Sequence, residues 1–140
     1  PLGSVMYNDN QARAGVAHRA PTMQLIVGYD DVGVADNQCH CEQAANLYAN
    51  TLVMGASVRA SGNRLREPRA QTNLSLLTIA SRANNTSFNQ GDHCIVAQDT
   101  DPNPPATVQA GNQVLLPSAV CNRFNMITAL MFKPITSVNG

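Results

Sequence analysis

Tryptophan is absent, and only three tyrosines and three phenylalanines occur in 140 residues. A core built on aromatic anchors is therefore excluded, and burial must come from aliphatic and small side chains. Charge is equally sparse, at 13% of residues against roughly 25% in an ordinary globular chain. That excludes a charged disordered tail and a charge-laced coiled coil. No apolar run approaches the ~20 residues of a membrane-spanning helix; the best are Leu25–Val27 and Ala129–Phe132. Membrane insertion of this stretch is not expected, and an anchor or leader upstream remains compatible with it.

Catalytic signatures are missing as well. There is no GxSxG elbow, no P-loop and no GxGxxG, which removes the common routes to acyl transfer and nucleotide binding. Asp92 and His93 are sequence neighbours, which is not how a carboxylate orients an imidazole. The histidines His18, His40 and His93 read as surface or cap residues. Asp99–Asn103 begins like a calcium loop, but Pro104 stands where glycine is needed and no glutamate closes it, so it reads as a capped turn. No enzyme activity and no cofactor are expected.

What is present is 44% hydrophobic residues, enough for a globular core. Pro1 to Ser4 read as the remnant of a cleaved tag, which leaves residues 5–140 as one domain. Nine acidic residues balance nine basic ones; eight of those cations are arginine, and Lys133 is the only lysine. Fifteen asparagines and 17 serines and threonines imply a surface of amides and hydroxyls. Zero net charge lowers colloidal repulsion and favours association.

The chain reads as α+β. One main helix over about 38–58 is expected from the spacing of Ala44, Ala45, Tyr48, Leu52 and Ala56. Asp36 or Asn37 would cap it and Gly62-Asn63 would end it. It would pack on an antiparallel sheet formed largely by the C-terminal half. Strands are expected at 22–29, 93–98 and 126–133, with a hairpin at Gly111-Asn112; 74–80 alternates as a strand would, while Pro68 could equally open a helix there. Residues 5–20 read as a short helix or a loose arm, and 84–91 as a polar loop. No internal repeat and no heptad run is evident.

Four cysteines, Cys39, Cys41, Cys94 and Cys121, favour disulfides and an oxidising compartment. A bond between Cys39 and Cys41 would close a strained ring, so two bridges from these to Cys94 and Cys121 are expected. Zinc is the competing reading, with His40 and His93 beside two of the cysteines, but the CxxC knuckle is missing and no metal is expected. Residues 59–82 hold five arginines against one glutamate, whereas residues 1–58 hold five acids against two arginines. Arg59, Arg64, Arg66 and Arg69 thus form a candidate contact segment for a partner or a polyanion. No aromatic lies within 59–82 to stack on bases, which favours a protein partner or self-assembly over nucleic acid.

Together these features imply a non-enzymatic, extracytoplasmic interaction domain in the periplasm, at the cell surface, secreted or in a virion. A subunit of a surface appendage, an envelope assembly or a viral coat would fit. The alternative is a polyanion-binding module, for nucleic acid or an acidic glycan, using the arginine-rich segment 59–69.

Overall fold

A computed structural model describes residues 3–14, 22–42, 46–68, 71–100, 107–115 and 137–138. Five times within them, a residue with left-handed backbone precedes an asparagine. The pairs are Asp9–Asn10, Asp36–Asn37, Gly62–Asn63, Phe88–Asn89 and Gly111–Asn112, with φ at the first residue of 58°, 57°, 67°, 56° and 68°. Glycine and aspartate tolerate this conformation best. Gly62 needs it twice over, because a Cβ there would meet Asp36 Oδ1. At every pair the chain turns a corner.

The described residues form thirteen strands, and the five corners each fall between two of them. In chain order these are β1 (Val5–Asn8), β2 (Gln11–Ala14), β3 (Thr22–Val27), β4 (Asp31–Ala35), β5 (Gln38–Cys41), β6 (Asn46–Ser61), β7 (Arg64–Arg66), β8 (Gln71–Ser87), β9 (Gln90–Gly91), β10 (Cys94–Asp99), β11 (Thr107–Ala110), β12 (Gln113–Val114) and β13 (Ser137–Val138). Val5 lies beside Val32, Val32 beside Val58, Val58 beside Asn84, and Asn84 beside Thr107, all in parallel. The chain therefore winds as a β-solenoid, with successive corner asparagines 27, 26, 26 and 23 residues apart. Sheet A takes two sides, because β6 pairs with β3 through its first half and with β4 through its second. Sheet B, in the order β12-β9-β7-β5-β2, is the third. Only β10 with β13 is antiparallel among the described pairings.

Alternation along parallel strands stacks like positions into columns. Ile26 lies beside Val53, and Val32 beside Val58, in an interior cluster that also holds Val34, Ala60, Leu65, Leu76 and Ile95. Each fully buried Val, Leu or Ile contributes roughly 1.5–3 kcal/mol. Aliphatic columns thus replace the aromatic anchors that the sequence lacks.

The corner asparagines form a second, polar column. Asn37 Oδ1 accepts the backbone N–H of Asn10 at 2.9 Å, and Asn63 Oδ1 accepts that of Asn37 at 3.0 Å. Asn89 and Asn112 continue the series at 3.1 and 2.9 Å. The Nδ2 groups of Asn37, Asn63, Asn89 and Asn112 donate to the carbonyls of Tyr7, Val34, Ala60 and Thr86 in the preceding coil. A corner must break the sheet ladder, and these amides satisfy the buried backbone groups left over.

The expected α+β fold is overturned: the described residues contain no helix and nearly every strand pairing is parallel. The 38–58 stretch is β5 and β6. Its three- and four-residue apolar spacing arises because both sides of β6 carry apolar side chains, Val53 inward and Leu52 and Met54 outward, which hides the period of two. Asp36-Asn37 and Gly62-Asn63 are corners rather than helix caps, and Gly111-Asn112 is a corner between parallel strands, not a hairpin. Residues 5–14 are β1 and β2, and 84–91 is strand as well. The expected strands near 22–29 and 93–98 are present within β3 and β10, and 74–80, open to either reading, is strand within β8. The 126–133 stretch lies outside the described residues. An internal repeat, not evident from the sequence, is the organising feature.

The column makes a stability prediction. Asn63→Ala strands the buried Asn37 N–H and the Val34 carbonyl, at roughly 1–3 kcal/mol for each unsatisfied group. Urea unfolding followed by circular dichroism should show a loss of about 2–4 kcal/mol, against about 1 kcal/mol for Asn10→Ala at the column's end. Equal costs at both positions would contradict the ladder.

Candidate functional site

The densest polar cluster lies at the corner between β7 and β8. Glu67 follows β7 and precedes Pro68, which cannot continue the ladder. Its side chain turns inward and is 0% exposed. Asn50 Nδ2 donates to Glu67 Oε2 at 2.8 Å, and the Ser75 hydroxyl makes a short contact with Oε1. Ser75 Oγ in turn accepts the backbone N–H of His93 at 2.8 Å. On the other side a chain of donors converges: Tyr7 on Gln24, Gln24 on Thr51, and Thr51 on Asn50. The interior thus carries a continuous hydrogen-bonded path from the first coil to the fourth.

Asp92 closes the same corner one coil on. Its carboxylate accepts the Glu67 N–H at 2.8 Å and the Arg66 Nε–H at 3.0 Å from each oxygen. One carboxylate is thereby paired with a cation. The other is not. Burial pushes the Glu67 carboxyl up to about 8, against the lowering effect of Ser75 and Asn50. At neutral pH it holds its proton, so the Ser75 hydroxyl and the Asn50 amide face a neutral acid. Burial also drives the Cys39 thiol up to about 12, with Glu67 and Cys41 adding to the effect.

Ser75, Glu67, Asp92 and His93 are the residue types of a hydrolytic site, brought together here at one corner. Ser75 is 0% exposed, and it meets the backbone of His93, not its ring. The ring is held by the Glu67 backbone and its pKa is lowered, first by burial. Asp92 faces Arg66. The cluster fastens β7 to β8 and β10. Nothing in the sequence motifs singled out Glu67, Asn50 or Ser75; the one available signal was a lone glutamate before proline.

The cysteine expectation is corrected at β5. Cys39 and Cys41 are two residues apart on one strand, so both point inward, and both are thiols in no disulfide. Cys39 Sγ lies 4.0 Å from Met23 Sδ in the interior cluster, whereas Cys94 packs with Ala49, Leu74, Leu77 and Val96 in a separate one. That separation keeps β5 from bridging to Cys94. Cys121 lies outside the described residues. No group of three metal-ligating side chains is assembled among the described residues.

The arginines are dispersed over different sides. Arg59 is in the second half of β6, facing solvent from sheet A, while Arg64 and Arg66 face outward from sheet B. Arg66 is bound by Asp92, and Arg69 lies outside the described residues. Arg82 pairs with Asp30 and Asp31 of the same chain. The outer side of sheet B instead carries a column of Gln11, Gln38, Arg64, Gln90 and Gln113, and beside it Arg13, His40 and Arg66. Arg13 is paired with Glu42.

The outer side of sheet A where β3, β6, β8 and β10 lie together is apolar. One column runs from Leu25 through Leu52 and Leu77 to Val96, a second from Val27 through Met54 to Ile79. Leu25 is 60% and Val27 55% exposed, whereas Leu77 is 3% and Val96 0% exposed. The first coils therefore present an uncovered aliphatic stripe. Comparison of the chain with protein-family models, with curated proteins and with solved structures yields no match.

The inner cluster sets a pH dependence. The folded state holds the Glu67 proton up to about 8, while an unfolded glutamate releases it near 4.3. The folded state then binds more protons between these values, so this group's contribution to stability is present in acid and falls as pH rises from about 4.5 to 8. His93, with its lowered pKa, acts in the opposite sense, favouring folding above its unfolded value. Glu67→Gln presents an N–H to Ser75 and an oxygen to Asn50, mimicking the protonated acid. Its unfolding free energy should match the wild type at pH 5 and exceed it by a few kcal/mol at pH 8. Parallel wild-type and variant curves across that range would refute the assignment.

Proposed function

We propose that this chain is a contact and assembly domain: a β-solenoid whose polar interior fixes its coils and whose outer sides meet other macromolecules. The observation that carries the reading is the aliphatic stripe of Leu25, Val27, Leu52 and Met54, aligned in register on a flat parallel sheet. Contiguous exposed apolar surface of this kind marks an interaction site. The reactive side-chain types support a structural role, because Glu67, Ser75 and Asp92 are consumed in closing one corner. Placement outside the cytoplasm draws on low charge, scarce lysine and the disulfide-bonded Cys94, while Cys39 and Cys41, which are in no disulfide, no longer support it.

Polyanion contact through Arg59, Arg64, Arg66 and Arg69 is the weaker reading. Its support is that Arg64 and Arg66 share one outer side with Arg13 and His40. Asp92 and Glu42 already neutralise two of these cations.

Sedimentation of the full chain should show association that depends on concentration. Leu25→Lys with Val27→Lys should weaken it at least tenfold while shifting the melting temperature by no more than a few degrees, since both side chains already face water. Unchanged association in that double variant would sink the stripe as the contact. For the weaker reading, retention on a sulfated polysaccharide matrix at low salt should be abolished by Arg64→Ala; retention that persists would implicate other cations.

A further inference from the structure

The two ends of the asparagine column are complementary, and this has a consequence for how copies meet. In each interior step, the later asparagine's Oδ1 accepts the earlier one's backbone N–H. Its Nδ2 reaches the carbonyl three residues before that earlier asparagine. Asn10 has no earlier coil among the described residues. Its Oδ1 accepts no hydrogen bond there, and its Nδ2 falls back on the carbonyl of Asn8 in its own coil and on Asn37. At the opposite end, Asn112 spends its side chain on Asn89 and Thr86, while its backbone N–H donates to no described residue.

Two further features share the same polarity. Among the described residues, strands β1 and β2 pair on one side only, with β4 and β5, and β11 and β12 on one side only, with β8 and β9. The first coil's interior is also left part-open. Val5, Tyr7 and Ala12 are only partly buried, whereas their counterparts one coil on, Val32, Val34 and Cys39, are at most 2% exposed. Terminal coils of solenoids normally carry a polar cap, and exposed strand edges are normally protected. Strand β1, Val-Met-Tyr-Asn, has neither proline nor charge.

We propose that a second copy of this chain docks head to tail, its β11–β12 coil lying against the β1–β2 coil. The Asn112 N–H of one copy would then donate to Asn10 Oδ1 of the next, and Asn10 Nδ2 to the Gln109 carbonyl. In that register Val5 falls opposite Thr107 and Gln11 opposite Gln113. The outer column of sheet B would continue across the junction, as Gln90 Nε2 already bonds Gln113 Oε1 at 3.0 Å. Only two of the three sides join in this way, because β10 already carries β13. The contact is heterologous and does not close, so it yields a ladder of sizes, not a single dimer. This rests on the assembly reading but uses the ends of the solenoid instead of the stripe on sheet A.

The test compares the full chain with Asn10→Ala and with Leu25→Lys/Val27→Lys, by sedimentation and by amide exchange at increasing concentration. Asn10→Ala should weaken association at least tenfold and remove a concentration-dependent slowing of exchange at Val5–Asn8 and Thr107–Ala110. The stripe variant should leave that slowing in place. A chain whose β1 and β11 amides exchange at the same rate at all concentrations overturns the end-to-end contact. Association lost only in the stripe variant also overturns it while sparing the assembly reading, and a wild type that stays monomeric overturns both.

Discussion

Every coil of this molecule has to solve one problem: at the corner the backbone leaves the sheet, and its N–H would be buried without an acceptor. The solution is a side-chain amide. An asparagine supplies both an acceptor and a donor in the same plane, so one residue satisfies the N–H of the coil before and a carbonyl as well. Because each side-chain amide serves the coil before it, no corner can shift register alone. That shared dependence explains why successive asparagines keep a near-constant separation while the strand sequences between them vary from Gln-Cys-His-Cys to Arg-Leu-Arg.

The left-handed residue before each asparagine follows from the same constraint, since the amide can point along the axis only if the chain reverses curvature there. Aspartate and glycine fill four of the five positions. Phe88 is the exception, and its ring lies over Gly111 in the next coil, where any Cβ would collide with it. The conformation costs a bulky residue roughly 1–2 kcal/mol, offset here by a stacking partner with no side chain. Elsewhere the interior is largely aliphatic, apart from the buried Thr78, Asn84 and Thr86 network and the Glu67 corner, where a neutral acid joins three coils.

Part of this was legible from residue order alone. The β-formers of Thr22–Val27 and Cys94–Gln98 identify themselves, and the amide-rich composition is the raw material of the column. The architecture was not legible, for two physical reasons. Parallel strands that carry apolar side chains on both sides lose the apolar–polar alternation, so Tyr48, Leu52 and Ala56 mimic a helix. The repeat is carried by only two adjacent positions in about 26, as in Asp9-Asn10, Asp36-Asn37, Gly62-Asn63 and Gly111-Asn112, each followed by glutamine or arginine. A search for such dipeptides at fixed spacing, and not for similar strands, is what finds it. Glu67 and Ser75 gave no sign, because their meeting depends on coil stacking that spacing does not encode. The arginines misled for the opposite reason: Arg59 is set on sheet A while Arg64 and Arg66, close to it in sequence, fall on sheet B once the chain winds.

The central claim is that backbone amides at the corners are held by side-chain carbonyls of the following coil. A through-hydrogen-bond coupling experiment on isotopically labelled protein reads this directly. It should connect the backbone nitrogen of Asn37 to the side-chain carbonyl carbon of Asn63, and that of Asn63 to Asn89. Helical amide couplings within residues 46–58, or couplings from these corner amides to backbone carbonyls instead, would contradict the account.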